Sequence, residues 1–210
     1  YKYMKPNLNI KNVIFDLGGV LIDWNPDKVY KSVFKNDPEK MKHFYAEICT
    51  QEWNENQDAG YPMAKATEER VALFPEYENE IRMFYGSWED MLGDQIQGTV
   101  DILKELSEDP NYKVVALTNW SHETFPKAIA KFDFLQWFDG ILVSGEEKTR
   151  KPFPEIYELT LSRFNIQAGE SLFIDDNLRN IEAARDLGIH SIHFQNPEQL
   201  NKELGAYIKQ

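Results

Sequence analysis

Short apolar segments that end in polar residues constrain the fold of this chain more than any other feature. Three of them, residues 12–15, 113–117 and 171–174, are rich in Val, Ile, Leu or Phe and lack a clean alternation of apolar and polar residues. That pattern is typical of parallel strands that are covered on both faces. Residues 140–143 and 190–194 are two further candidate strands.

Helix-length segments separate the later strands. Residues 98–106, 153–164 and 178–187 each place apolar side chains on one helical face. Strands that alternate with helices favour right-handed crossovers and a mostly parallel sheet. We therefore predict an α/β fold, with a Rossmann-like doubly wound parallel sheet and helices on both of its faces.

The interval from residue 24 to residue 92 differs from the rest of the chain. It is charged, aromatic and helix-like, it breaks at proline-containing turns, and it has no convincing buried strand. Because the flanking segments both resemble parts of one sheet, we predict a helical cap inserted after the first strand. The expected division is a core of residues 1–23 and 93–210 and a cap of residues 24–92. A separate helical bundle is the alternative.

Polar residues follow three of the predicted strands. Asp16 follows the first strand, Thr118 and Asn119 follow the second, and Asp175 and Asp176 follow another. In such folds ligands bind beyond the carboxyl ends of the strands. Three carboxylates in one place repel one another unless a cation neutralises them, and Mg²⁺ suits oxygen ligands beside a substrate phosphate. A carboxylate next to that metal is able to act as a nucleophile and form an aspartyl-phosphate.

The remaining candidates are groups that bind phosphate. Thr118 and Asn119 offer neutral hydrogen-bond donors, and Lys151 offers a fixed positive charge. Each signal also has an ordinary structural explanation: a turn for Asp16, a helix N-cap for Asp175 and a solvated loop for Lys151. We favour a site because four such signals fall in order at strand ends within one chain.

Charge and cysteine content exclude several classes of function. The chain has 23 basic and 35 acidic residues, a formal net charge of −12, which disfavours binding to nucleic acid or to anionic lipid. No apolar run approaches the ~18 residues that a membrane-spanning helix requires. The single cysteine, Cys49, cannot form an intrachain disulfide, which fits the cytoplasm.

Four motifs, taken together, carry a family resemblance. They are Val13-Ile14-Phe15-Asp16-Leu17-Gly18-Gly19-Val20-Leu21-Ile22-Asp23-Trp24, Ala116-Leu117-Thr118-Asn119, Arg150-Lys151-Pro152-Phe153-Pro154-Glu155, and Phe173-Ile174-Asp175-Asp176-Asn177. On these motifs the chain resembles the haloacid dehalogenase-like hydrolase superfamily, in its subgroup with a helical cap after the first strand. The resemblance extends from about residue 12 to residue 194.

The resemblance implies a role for each acidic residue at the strand ends. Asp16 resembles the nucleophile, which is also a Mg²⁺ ligand, and Gly18 resembles the position whose backbone carbonyl binds the metal. Asp176 resembles the direct acidic ligand of the fourth motif. Asp175 is its neighbour and is expected to ligate directly or through water.

The resemblance also implies a phosphoric monoester hydrolase. Thr118 and Asn119 resemble the phosphate-binding residues, and Lys151 resembles the motif lysine that binds phosphate and orients the nucleophile. The expected substrate is a small phosphorylated metabolite, because a helical cap of this size leaves room for little more. A monomer or weak dimer is expected.

One position departs from the family pattern. Phosphatases of this superfamily usually carry a second aspartate two positions after the nucleophile, as the general acid, and here that position is Gly18. General acid catalysis typically contributes about 10²–10⁴-fold to the rate. The chain is similar to sugar-phosphatase-like members that also have glycine there, including those acting on α-D-glucose 1-phosphate. Asp23 is a candidate substitute, although a turn is the preferred interpretation, and His122 is interpreted as a surface residue.

The missing aspartate leaves three hypotheses open. The first is a Mg²⁺-dependent phosphatase acting on a sugar phosphate. The second is a 2-haloacid dehalogenase, in which Asp16 attacks carbon; the pair Asp175 and Asp176 argues against it. The third is a catalytically weakened member that binds a metabolite.

Overall fold

The computed structural model describes residues 8–208, and within them the chain forms seven strands and twelve α-helices, together with short 3₁₀ and π segments. The strands are β1 (Asn12–Phe15), β2 (Ile22–Trp24), β3 (Leu92–Gln95), β4 (Lys113–Thr118), β5 (Gly140–Val143), β6 (Ser171–Asp175) and β7 (His190–His193). The helices are α1 (Asp27–Val33), α2 (Pro38–His43), α3 (Gln51–Asp58), α4 (Met63–Leu73), α5 (Glu78–Gly86), α6 (Trp88–Met91), α7 (Gln97–Glu108), α8 (Phe125–Lys131), α9 (Ser144–Glu147), α10 (Pro154–Arg163), α11 (Leu178–Asp186) and α12 (Pro197–Leu204).

Five strands form one parallel sheet in the order β5-β4-β1-β6-β7. The central strand β1 pairs with β4 on one side and β6 on the other, so that Ile14 lies between Val115 and Phe173. All four residues of β1 and all five of β6 are buried, because apolar clusters cover both faces of the sheet. The predicted α/β class with a parallel sheet is confirmed, and β1 and β5 have the predicted limits.

Helices α1 to α6 pack around an aromatic cluster of their own, which includes Tyr30, Phe44, Trp53 and Phe84. Tyr30 anchors this cluster, because its ring contacts several aromatic neighbours and its hydroxyl donates to the carbonyl oxygen of Glu80 at 2.7 Å. The assignment of residues 24–92 to an inserted cap, and of residues 1–23 and 93–210 to a core, stays a prediction.

A two-stranded ribbon was not predicted. Strands β2 and β3 pair antiparallel at the two chain crossings between the sheet and the helices α1 to α6, with Ile22 opposite Gln95 and Trp24 opposite Leu92. The strands have three and four residues, and only Ile22 and Leu92 in them are buried. Such short, mostly polar segments give no readable alternation.

No helix among residues 8–208 has both the length and the apolar character that crossing a membrane demands.

Candidate active site

Asp16 occupies the first position beyond β1, at the centre of the sheet edge. Its backbone N–H donates to the carbonyl oxygen of Ile174 at 2.9 Å, which continues the ladder to β6 for one residue. Its side-chain Oδ1 accepts from the backbone N–H of Leu17 at 2.8 Å and from Lys151 Nζ at 2.8 Å. The carboxylate is therefore oriented by both the backbone and a cation, as a nucleophile requires.

Lys151 brings the acidic strand ends together. Its ammonium group is 1% exposed and donates to Asp16 Oδ1 and Asp175 Oδ2, both at 2.8 Å, and to the carbonyl oxygen of Leu117 at 3.0 Å. Burial alone would lower the pKa of Lys151, but the carboxylates of Asp16 and Asp175 outweigh burial and raise that pKa. The lysine is a permanent cation with all three of its N–H bonds in use.

Asn119 holds the backbone of Lys151 in place. Its Oδ1 accepts from the Lys151 N–H at 2.9 Å, and its Nδ2 donates to the Lys151 carbonyl oxygen at 3.0 Å. The sequence predicts a phosphate-binding role for Asn119, and the structure adds this positioning role. Among residues 8–208 no acceptor takes the second hydrogen on Nδ2, which suits donation to a ligand.

The two acidic residues after β6 differ in their surroundings. Asp175 is fully buried; its Oδ1 accepts from Asn177 N at 2.8 Å, and its Oδ2 accepts from Asn180 Nδ2 at 3.1 Å in addition to Lys151. Asp176 is exposed toward the cavity. Because both oxygens of Asp175 are already engaged, Asp176 is the better direct ligand for a cation.

These three carboxylates fit a divalent cation. Asp16, Asp175 and Asp176 each offer an oxygen, and the three oxygens lie within 4.8 Å of one another. With Lys151 beside them, the ionised cluster has a net charge of −2. Burial, followed by repulsion from Asp175, raises the pKa values of both Asp16 and Asp176. A divalent ion would neutralise the cluster and remove that repulsion.

Two glycines shape the loop after Asp16. Gly19 has φ +80° and lies so close to Asp176 that a Cβ atom at this position would overlap the Asp176 carboxylate. A glycine is therefore needed at position 19 for Asp176 to approach the loop. At Gly18, by contrast, no described residue other than its chain neighbours has an atom within 4 Å of the place a Cβ atom would occupy, so that part of the wall carries no side chain.

Thr118 ends β4 next to this cluster. It is 1% exposed, and its Oγ1 has no hydrogen-bond partner among the residues that the structure describes. Buried hydroxyl groups are normally hydrogen-bonded. An unpartnered one at the carboxyl end of a central strand suits a residue that awaits a ligand.

A cavity of about 630 Å³ opens above the acidic cluster. The sheet edge supplies one wall, including Asp16, Lys151 and Asp176, and the helices of residues 27–91 supply the opposite wall. The opposite wall combines polar residues of α3 with the aromatic rings of Phe84 and Trp88. This volume suits a small molecule.

Glu55 of α3 connects the two walls. Its carboxylate, 9% exposed, forms ion pairs with Arg150 Nη2 at 3.1 Å and with Arg179, and it accepts from Gln51 Nε2 at 3.0 Å. Arg150 precedes Lys151, and Arg179 lies three residues after Asp176. The helix is therefore tied to the two segments that carry the lysine and the acidic pair.

Sequence reasoning missed Glu55 and Asp58 of α3, which both line the cavity, since charged residues on a short helix are usually solvated. It also missed Asn180, whose amide orients Asp175. The candidate substitute acid Asp23 lies away from the cavity, where it is half exposed and paired with Lys28 Nζ at 2.9 Å. His122 is exposed, as predicted.

Comparison with known proteins identifies relatives across most of the chain. The model of the haloacid dehalogenase-like hydrolase family matches residues 13–194. A sesquiterpene phosphatase from Aspergillus oryzae is 27% identical over 184 residues, which cover 88% of this chain and 89% of that protein. A D-ribitol-5-phosphate phosphatase from Bacteroides thetaiotaomicron is 23% identical over 209 residues, covering 95% and 98%. Two longer curated relatives also match, and the chain spans 9% of one and 36% of the other.

A solved structure of similar fold contains a metal and phosphate. It is a haloacid dehalogenase family enzyme from Bacteroides thetaiotaomicron in complex with magnesium and inorganic phosphate. The two chains superpose with a TM-score of 0.66 and 26% identity, covering 89% of this chain and 95% of that one.

Proposed function

This chain belongs to the haloacid dehalogenase-like hydrolase family, and from that premise we propose that it is a Mg²⁺-dependent phosphatase. The proposed substrate is a small phosphorylated metabolite, in particular a sugar phosphate, and the reaction proceeds through an aspartyl-phosphate on Asp16. The observation that carries the proposal is the bridge that Lys151 makes between Asp16 and Asp175, beside the third carboxylate of Asp176.

Asp16, the backbone carbonyl of Gly18 and Asp176 would hold the metal, with Asp175 ligating through water. When bound, Mg²⁺ supplies positive charge that neutralises the carboxylates and the phosphoryl oxygens. The relatives support this role, because the similar enzyme from Bacteroides thetaiotaomicron binds magnesium and phosphate.

The residues of the chain divide the remaining work. Lys151 orients the Asp16 carboxylate through its 2.8 Å hydrogen bond and supplies fixed positive charge near the phosphoryl group. The Thr118 hydroxyl and the free hydrogen of Asn119 Nδ2 donate to phosphoryl oxygens. Asp16 attacks phosphorus, the bond to the leaving oxygen breaks, and water then cleaves the aspartyl-phosphate and regenerates the carboxylate.

The cavity favours a small substrate. Its polar wall includes Thr50, Gln51 and Asn54, which suit the hydroxyl groups of a sugar. Among the relatives, one is named for D-ribitol 5-phosphate and another for a sesquiterpene phosphate, so both polar and apolar leaving groups occur within the family. A location in the cytoplasm is part of the proposal and rests on the single cysteine.

A phosphate-release panel tests the proposed function. The substrates are D-ribitol 5-phosphate, glucose 1-phosphate, glucose 6-phosphate, farnesyl phosphate and p-nitrophenyl phosphate, each with Mg²⁺ and with EDTA. We expect Mg²⁺-dependent turnover that is fastest on a sugar phosphate, and a loss of ~10³-fold or more in Asp16→Asn. Turnover that persists in EDTA or in Asp16→Asn would refute the assignment. Chloride release from 2-chloropropionate would instead favour the dehalogenase.

A further inference from the structure

The proposed reaction lacks an obvious proton donor for the leaving group. The usual position for one is Gly18, where the wall carries no side chain. A departing alkoxide needs a proton, so the donor must come from another ionisable residue of the cavity. Besides the residues already given roles, the cavity is lined by five such candidates from the helices above the sheet: Asp27, Tyr45, Cys49, Glu55 and Asp58.

Four of these five are engaged or hold their proton too tightly. The Tyr45 hydroxyl donates to Asp27 Oδ1 at an O–O distance of 2.9 Å, so both groups are already engaged in a hydrogen bond. Burial raises the pKa of the Cys49 thiol to about 12, which makes it a poor donor. The Glu55 carboxylate is already engaged in ion pairs with Arg150 and Arg179.

Asp58 is the exception. Within residues 8–208 its carboxyl oxygens make no hydrogen bond and no ion pair, and Asp58 lines the same cavity as Asp16 and Lys151. Its position at the last residue of α3 places it one helical turn after Glu55, on the same face of the helix. Asp58 is therefore a half-buried residue on the wall opposite the nucleophile, with a carboxyl group that no described residue engages.

The backbone at Asp58 is anchored on the sheet side. Its carbonyl oxygen accepts a hydrogen bond from the hydroxyl of Ser144, and the same hydroxyl accepts from the backbone N–H of Trp120 at 2.9 Å. Two residues later, Gly60 packs so closely on Gly145 that a Cβ atom would lie 2.8 Å from its carbonyl oxygen. These contacts fix the backbone position of Asp58 relative to the ends of the strands.

We propose that Asp58 is the general acid that protonates the leaving group, in place of the side chain missing at position 18. The proposal rests on the phosphatase function proposed above. In the first half-reaction the Asp16 carboxylate forms a bond to phosphorus, and the leaving oxygen departs with the electron pair of its broken bond and takes the proton of Asp58. In the second, Asp58 accepts a proton from the attacking water, and the bond between phosphorus and Asp16 breaks.

The electrostatic surroundings keep this carboxyl protonated near neutrality. Burial raises the pKa of Asp58 to about 7, with Glu55 adding to the increase and Arg150 and Lys151 opposing it. Tyr85 of α5 also lies close enough for the Asp58 charge to raise the pKa of its phenol. Since the protonated form is the active one, kcat/KM on alkyl phosphates should fall about tenfold per pH unit above pH 7.

The test compares leaving groups in Asp58→Asn, a near-isosteric variant. On the sugar phosphate of the panel that the wild type hydrolyses fastest, kcat should fall by ~10²–10⁴-fold, and the loss of activity above pH 7 should disappear. On p-nitrophenyl phosphate, whose leaving group departs without a proton, the fall should be less than about tenfold. Asp27→Asn is the matched control, because it changes another cap carboxylate of the cavity and should affect both substrates equally.

The outcomes separate this proposal from the phosphatase itself. If Asp58→Asn lowers kcat equally on both substrates, or raises KM with kcat unchanged, Asp58 is not the general acid. Mg²⁺-dependent turnover by the wild type would still support the phosphatase function. No turnover by the wild type on any phosphate ester overturns both. Thermal unfolding of Asp58→Asn and its binding of beryllium fluoride with Mg²⁺ are the controls for folding. If both match the wild type, a selective loss of kcat is not caused by misfolding.

Discussion

The two walls of the cavity are held in place by different forces. At the sheet edge, Lys151 is buried between Asp16 and Asp175, and two hydrogen bonds between its backbone and the Asn119 side chain set its position. On the opposite wall, α3 is joined to the loops through Glu55, whose partner Arg179 is 42% exposed. Buried, saturated contacts fix one wall, whereas the other depends partly on ion pairs that water and salt weaken.

The difference indicates how the work is distributed. The groups proposed to contact phosphorus and the metal need fixed geometry, and Asp16, Thr118 and Asp175 lie at the ends of paired strands. Asp58, the group proposed to protonate the leaving group, lies instead on a helix that ion pairs, one serine hydroxyl and a close glycine contact hold against the sheet. Closing such a wall over the substrate excludes water from the reaction.

Removing the positive charge of Lys151 from the sheet edge should have the largest effect. Lys151→Met leaves the buried carboxylates of Asp16 and Asp175 facing each other without compensation, and we expect a loss of about 3–5 kcal/mol in the free energy of unfolding. Urea denaturation in EDTA measures it. Added Mg²⁺ should stabilise this variant more than the wild type, since the ion replaces the missing charge.

The control for this change is another lysine. Lys127 forms an exposed ion pair with Glu89 at 3.5 Å, so Lys127→Met should cost no more than about 1 kcal/mol. Equal losses of unfolding free energy in the two variants would show that the buried ion pairs of Lys151 stabilise the protein no more than an exposed ion pair does.

A second, smaller effect concerns the approach of Asp176 to the nucleophile loop. Gly19→Ala places a methyl group against the Asp176 carboxylate and should weaken Mg²⁺ binding by roughly 10–100-fold. Isothermal titration with Mg²⁺ measures the change. Gly188→Ala is the matched control, because Gly188 has φ +77°, close to the +80° of Gly19, but no atom within 4 Å of its Cβ position.

Both glycine variants carry the same backbone strain, so both should lose stability. Only Gly19→Ala should lose affinity for Mg²⁺. A similar loss of affinity in Gly188→Ala would attribute the effect to strain and not to the position of Asp176.

The smallest expected effect concerns the wall formed by the helices of residues 27–91. Glu55→Gln removes the charge that joins α3 to Arg150 and Arg179, and we expect KM for p-nitrophenyl phosphate to rise roughly fivefold, equivalent to about 1 kcal/mol. The salt dependence of KM should decrease in parallel. Glu68→Gln is the control, because Glu68 pairs with Arg82 on an exposed surface and should leave KM unchanged.

An unchanged KM in Glu55→Gln would mean that apolar packing alone positions the helical wall. In that case the two walls would differ less than their contacts indicate.

The sheet edge could be predicted from the sequence because strand register does most of the positioning. Parallel pairing of β1 with β4 and β6 brings the residues after each strand to one edge, so Asp16, Thr118 and Asp175 become neighbours once the strands are recognised. The expectations of an α/β fold and of a hydrolase of the haloacid dehalogenase-like superfamily are confirmed. The roles assigned to individual site residues stay predictions.

The helical wall could not be predicted in the same way. Whether Asp58 and Glu55 face solvent or cavity depends on how α3 docks on α9, and that contact involves a serine hydroxyl and a close approach of two glycines. Neither feature produces a periodic pattern in the sequence. Among the aromatic residues of positions 24–92, Trp24, Tyr45, Phe84 and Trp88 line this cavity, whereas Trp53 and Tyr61 line a second cavity of about 680 Å³ beside α4.

The ammonium group of Lys151 bears on whether metal binding and folding are coupled in this protein. By pairing with Asp16 and Asp175, it offsets part of their negative charge without a divalent ion. Many small metal-binding domains unfold when stripped of their ion, because binding and folding are one event. With Lys151 offsetting part of the acidic charge, we expect the two to be separable here, so that turnover follows the free Mg²⁺ concentration while the fold persists.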